Sequence, residues 1–425
     1  MTGDSAGATS IALLLAAFAD EDPGLFRGVI LESVSVATIR TIEQGQEQYS
    51  CLSNATGCSD AEDTLACMRG VDAQDLLTED CQFNPGIDNE LIAAPMLEQF
   101  AAGRYLKVPT IAGTCTDEGT KGVPQDTDSV DAALQFVNNQ ASGALSNASL
   151  GLIRETYMDV EEPVFPESGR LWRQLSNAHG DFRAHCITAM IQDAQARDGV
   201  MTWNYRYGVL DDEQEALGFG AYHTVELNGV FGPANTDGAP PESYATTNAP
   251  IVSLTMAYWA SFVRTLDPNA AAMLGDMPSW DPWTASSRQR LLFQTGNTVM
   301  ETMPDFQSAN CQMLAPMLPA IESPSSAPGV VELQRLDTTL SPGGGPLGPA
   351  NPPSPAGPGT VPGGVPGVSG TVGAGVGTGD SAQGAAVGIS QLSGVDQNGL
   401  SRGASLVTLT LCLLCSGLAP NFLTR

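Results

Sequence analysis

The sequence predicts an α/β fold. Three observations carry it. Residues 108–113 (VPTIAG) form a short apolar run that reads as a buried strand, while 10–20 (SIALLLAAFAD) and 251–266 (IVSLTMAYWASFVRTL) read as helices. The two types alternate along residues 1 to about 322, which argues for α/β layering. The third is a Gly-x-Ser-x-Gly turn at residues 3–7 that opens directly onto the first helical run. The chain shows no internal repeat.

Composition divides the 425 residues. Gly (46) and Pro (29) are concentrated in 341–370, SPGGGPLGPANPPSPAGPGTVPGGVPGVSG, and 371–404 continue as small, nearly uncharged residues. Such a stretch cannot bury enough apolar surface to offset its chain entropy, so 323–404 reads as a disordered stalk. Residues 405–419 (SLVTLTLCLLCSGLA) are too few for a bilayer span, which needs about 20. Small residues upstream, a spacer and a short apolar tail fit a GPI-attachment signal, giving 405–425 the character of a membrane tether. Beyond residue 340 the charges Asp380, Asp396, Arg402 and Arg425 cancel, so the formal net charge of −29 sits on the globular part. A surface that negative repels phosphate backbones, which excludes nucleic acid as an expected partner.

Nine cysteines are present. The lone C-x-x-C, Cys412 and Cys415, lies in the apolar tail, so neither a zinc nor a redox site is expected, and nothing implies a cofactor. Cys51, Cys58, Cys67 and Cys81 crowd into a loop-rich stretch that suits disulfides in an oxidising compartment. Asn54-Ala55-Thr56 and Asn147-Ala148-Ser149 are glycosylation sequons that lean the same way, towards an extracellular or cell-surface location. The chain opens directly on MTGDSAG, so a signal peptide is not expected within these residues.

Gly3-Asp4-Ser5-Ala6-Gly7 has the pattern of a nucleophile elbow. A serine on a sharp strand-to-helix turn exposes its hydroxyl, small neighbours avoid clashes, and the helix N-terminus faces a developing oxyanion. Ala6 would give one backbone N–H to that oxyanion hole. Such a nucleophile needs a base and an orienting acid. Of three histidines, His223 lies in a Gly-flanked loop (GFGAYHTVELNGVFG) that suits a mobile base. His179 and His185 lie in a helical stretch and read as packing or capping residues. The turn after the 108–113 strand offers both Asp117 and Glu118 as the acid. Serine, then acid, then histidine is the chain order of α/β-hydrolases.

With those residues in view, the chain resembles the type-B carboxylesterases, the cholinesterase and fungal-lipase family, and most of all its filamentous-fungal branch. The resemblance is carried by GDSAGA at the elbow, TDEGT at 116–120, AYHTVELNGVFG at 221–232, LES at 31–33, TGCSDAEDTLACMRGV at 56–71, YWASFVRTLDPN at 258–269 and MPSWDPW at 277–283. These follow family order from residue 3 to about 312. The resemblance implies an α/β-hydrolase fold over 1–322 and makes Glu118, rather than Asp117, the acid. It implies that Ser5 attacks the carbonyl of a small-molecule or lipid ester, with His223 as base and then acid. It also implies a Cys58–Cys67 disulfide and a place for Ser33 in the hydrogen-bond network behind the triad, with Val34 where the family usually has Gly. Asp4 stands where the family often has Glu, and reads either as tuning the histidine or as a simple turn residue.

The family's long segment before the elbow, with its Gly-rich oxyanion loop and, by expectation, the signal peptide, has no counterpart in this sequence. Losing an oxyanion donor costs about 10²–10³ in rate. With two residues before Gly3, the strand entering the elbow is not expected to form. The expectation is therefore the C-terminal two-thirds of a hydrolase domain, folding poorly and nearly inactive. The rival readings are a non-catalytic adhesion module and an inactive gene fragment.

Overall fold

The computed structural model describes residues 1–77, 81, 83–237, 239–270 and 277–323. Apart from Ser323, the predicted stalk (323–404) and tail (405–425) lie outside the described residues.

Six strands form one sheet in sequential order: β1 (Thr2–Asp4), β2 (Val29–Glu32), β3 (Thr110–Cys115), β4 (Thr202–Tyr207), β5 (Gln289–Phe293) and β6 (Val299–Thr302). The first five run parallel, and β6 returns antiparallel to β5. Helices α1 (Ala6–Ala17), α2 (Trp172–Gly180), α3 (Cys186–Arg197) and α4 (Ala249–Thr265) cover the faces. A mostly parallel sheet must be covered on both sides, because its crossovers carry helices. The strand entering the elbow does form, contrary to expectation. Thr2, Gly3 and Asp4 pair with Ile30, Leu31 and Glu32. The Met1 carbonyl accepts Ile30 N–H at 2.9 Å and the terminal ammonium donates to Gly28 O at 2.9 Å. Three residues suffice because β2 is itself locked by β3.

Side-chain alternation sends each strand's residues to two cores. On β4, Trp203, Tyr205 and Tyr207 point into an aromatic core with Trp259, Trp280 and Phe293, while Asn204 on the other face donates to Gln192 of α3 at 2.5 Å. On β2, Ile30 joins that aromatic core, and Val29 and Leu31 join the larger aliphatic one with Ala8, Ala12 and Leu15 of α1. Helix α1 is apolar almost all round and is correspondingly buried. Helix α4 opens with a proline in its first turn, where a missing N–H costs nothing, and closes on Leu266 in the left-handed region.

Three disulfides tie the described chain: Cys58–Cys67, Cys51–Cys81 and Cys186–Cys311, the last spanning 125 residues. Asn54 and Asn147 are both exposed, in helix Gln46–Ala55 and at the start of helix Asn147–Ile153. Among the described residues, no helix is long and apolar enough to cross a membrane.

Candidate active site

Ser5 is the single residue between β1 and α1, at φ 55° and ψ −117°. A positive φ is costly for a residue with a Cβ, so the neighbours must hold it. Ser5 N–H donates to Glu32 O at 2.8 Å, and its carbonyl accepts Thr9 N–H at 3.0 Å. Gly3 is sterically required, since a Cβ there would lie 2.6 Å from the Gly7 carbonyl carbon. Gly7 has open space where its Cβ would be, so the crowding expected of both glycines applies to Gly3 alone. Ala6 heads α1, and an N–H in a helix's first turn has no intrahelical acceptor.

Glu118 follows the end of β3 and is almost wholly buried. Its Oε2 lies 2.7 Å from His223 Nδ1, while its Oε1 accepts from Ser33 Oγ at 2.6 Å and Cys115 N–H at 2.7 Å. Burial alone would raise the Glu118 pKa; the His223 charge and these hydrogen bonds outweigh it and hold the carboxyl below its ordinary range. Gly119 lets this turn press on α2, because a Cβ there would fall 1.9 Å from Ser176 O. Asp117, one residue earlier, has a different task. It pairs with Arg173 at 2.5 Å and accepts Ala221 N–H at 2.8 Å.

His223 sits in the loop that follows Ala221, beside Thr224 at φ 77°. With Nδ1 turned to Glu118, Nε2 is the nitrogen left for chemistry. Burial opposes a charged ring, but Glu118, with Asp4 and Glu226 behind it, raises the pKa to about 9. Among the described residues no hydrogen bond joins Ser5 Oγ to His223; such contacts are often long before substrate binds. Ser33 is fully buried at φ 54°, and Asp4 is half-buried, with its Oδ1 atom buried and unpartnered. His179 packs between Phe136 and Phe182, and His185 Nδ1 meets Thr114 Oγ1 at 2.8 Å.

Three residues beside this site carried no sequence assignment. Cys115 Sγ lies 2.8 Å from Glu226 Oε2, and Glu32 accepts Trp259 Nε1–H at 2.8 Å. Burial raises the Glu32 carboxyl to about 8 and pushes Glu226 well above the ordinary range. The one available signal was an acid inside an apolar run, as in VILES and VELNGV. Among the described residues, no cluster of His, Cys, Asp and Glu could hold a metal.

The sequence model of the Carboxylesterase family matches residues 1–313. Lipase 2 of Geotrichum candidum is 27% identical over 337 residues, covering 71% of this chain and 55% of that protein. Neuroligin-3 of Homo sapiens is 26% identical over 291 residues, covering 63% and 34%. The crystal structure of Aspergillus niger EstA superposes with a TM-score of 0.69 at 31% identity, over 76% of this chain and 64% of that one. The chain thus spans about half the length, or less, of the curated relatives it matches. A mostly parallel sheet, a serine strained between its first strand and α1, and a family match over three-quarters of the sequence agree, and the chain belongs to the carboxylesterase family.

Proposed function

We propose that residues 1–322 carry the reacting groups of a carboxylic ester hydrolase that works through a serine acyl-enzyme, the Gly-rich oxyanion loop having no counterpart among them. Ser5 Oγ attacks the ester carbonyl carbon while His223 Nε2 takes the hydroxyl proton. The carbonyl oxygen becomes an oxyanion that accepts the Ala6 N–H. As the C–O bond breaks, imidazolium returns the proton to the departing alkoxide, releasing an alcohol and leaving acyl-Ser5. Water, deprotonated by His223, then frees the acid and restores Ser5. Glu118 fixes the ring tautomer and stabilises the imidazolium.

The observation that carries this reading is the 2.7 Å Glu118–His223 contact beside a serine held at positive φ. The Carboxylesterase family and the name Lipase 2 support small-molecule or lipid esters as the substrate class. Three disulfides support an extracellular or cell-surface setting. The test is p-nitrophenyl butyrate hydrolysis by the full chain, with fluorophosphonate labelling alongside. Turnover and labelling that both vanish in Ser5→Ala support the proposal. A folded chain that neither turns over nor labels would instead favour a non-catalytic adhesion module.

A further inference from the structure

The 425 residues include two lysines, Lys107 and Lys121. Lys107 Nζ donates to Gly103 O at 3.0 Å and stands 3.9 Å from the Asp198 carboxylate. Lys121 has neither kind of partner: among the described residues its ammonium makes no ion pair and no hydrogen bond. It stands instead over two aromatic faces, 3.6 Å from the Tyr222 ring centroid and 5.1 Å from that of Phe219. Ring faces attract a cation but leave its N–H donors for an oxygen acceptor. In a chain of net charge −29, an ammonium with no carboxylate beside it is an exception.

The backbone fixes this ammonium beside the Glu118–His223 pair. Lys121 follows Glu118 by three residues, and Tyr222 immediately precedes His223. The two segments are tied together: Asp117 N–H donates to Ala221 O at 2.9 Å, and Thr120 Oγ1 to Phe219 O at 3.0 Å. Gly122 N–H closes the turn on Gly119 O at 3.0 Å. At Gly122 a Cβ would come 2.8 Å from His179 Nε2, so the turn presses inward there, while Lys121 is exposed. The His223 side chain is likewise the open member of its pair, 26% exposed against 3% for Glu118. Packing on the rings partly desolvates the ammonium, which lowers its pKa and strengthens its pull on an anion that replaces the lost water.

We propose that Lys121 determines specificity: its ammonium, held over Tyr222 beside His223, receives the carboxylate of an ester that carries one. The substrate class is a monoester of a dicarboxylic acid or an ester of a hydroxy acid, its carboxylate accepting from Nζ. A neutral ester makes no such contact. The acidic surface repels a carboxylate, so a single ammonium beside the reacting groups sets orientation as well as affinity. Turnover of such an ester rests on the esterase reading; the anion site does not.

The experiment measures kcat/KM on the full chain for carboxylate-bearing esters and their neutral matches. Mono-p-nitrophenyl adipate against p-nitrophenyl hexanoate puts the charge on the acyl side. The pair 4-carboxyphenyl butyrate and phenyl butyrate puts it on the alcohol side. For at least one pair, the charged-to-neutral ratio should fall about tenfold in Lys121→Met and return in Lys121→Arg, the effect of losing and restoring one partly screened ion pair. A fall of about threefold or more that Lys121→Arg reverses supports the proposal. A smaller fall in both pairs overturns it, and so does a fall that Lys121→Arg leaves in place, because shape rather than charge would then be responsible. If the chain hydrolyses no ester, acetylation of the two lysines by sulfo-N-hydroxysuccinimide acetate decides. Mass spectrometry should show adipate slowing the reaction of Lys121 relative to Lys107, and uncharged adipamide leaving it unchanged. A Lys121 rate that adipate does not alter overturns the anion site itself.

Discussion

Asp117 accepts the Ala221 N–H at 2.8 Å, so the residue beside Glu118 fixes the backbone two positions before His223. The same carboxylate pairs with Arg173, which also donates to Gly218 O at 3.2 Å. Gly220 is shaped to this anchor: a Cβ there would lie 2.2 Å from Asp117 Oδ2. Adjacent acids thus divide the work, one holding the imidazole and the other holding the loop that carries it.

Cutting that anchor should slow turnover without weakening substrate binding. Asp117→Ala is expected to lower kcat by roughly 10- to 100-fold, since misplacing a reacting group by about 1 Å has an effect of that order. KM should stay within about twofold. Arg173→Met should lower stability by roughly 1.5–3 kcal/mol, the usual worth of charged hydrogen bonds. Stopped assays and urea midpoints on the two variants check both statements.

Glu118→Gln should behave differently. The amide can still lie against His223 Nδ1 but cannot stabilise an imidazolium, and it offers an N–H where the ring needs an acceptor. By analogy with the loss of the acid in other serine triads, kcat should fall about 10⁴-fold. Circular dichroism should show a folded protein. A loss below tenfold would remove Glu118 from the proposed mechanism.

What the sequence revealed about the site depended on how local each constraint was. The elbow was legible because its sterics lie within five residues, Gly3 meeting the Gly7 carbonyl. Glu118 and His223 were legible through short turns with family-like neighbours. The expected failure of the first strand was overturned because β1 needs only a three-residue ladder on β2. Glu226, Cys115 and Glu32 went unassigned because a buried acid or thiol leaves no periodic trace. Ser33 meets Glu226 across 193 residues, and Trp259 meets Glu32 across 227. Cys186 and Cys311 likewise carry no local spacing that pairs them.

Glu32 predicts how stability depends on pH. Burial, then the nearby Asp4 charge, raise its pKa from 4.5 to about 8 in the folded chain. The folded state therefore binds the proton more tightly than the unfolded state. The stability this contributes is whole below about pH 4.5 and is lost as pH rises to about 8. Urea midpoints for the full chain should fall between pH 5 and pH 8.5. Glu32→Gln, which keeps an acceptor for Trp259 Nε1–H, should flatten that fall; an equally steep decline in the variant would contradict this.

The three disulfides should differ in weight. Cys186–Cys311 closes 125 residues, joining the first residue of α3 to helix Asp305–Leu314 across the aliphatic core. Cys58–Cys67 closes only nine, between the turn after helix Gln46–Ala55 and helix Thr64–Arg69. Chain entropy assigns about 5 kcal/mol to the long loop and about 2.5 kcal/mol to the short one. Removing Cys186 and Cys311 together as alanines should therefore lower the urea midpoint more than removing Cys58 and Cys67. It should also reach the site, because the π-helical turn Asp181–His185 leads directly into Cys186, and His185 holds Thr114 on β3, four residues before Glu118. The expected signature is a larger loss of fluorophosphonate labelling rate in the long-loop variant at equal denaturant. Equal losses in the two variants would contradict a special role for the Cys186–Cys311 bond in supporting β3.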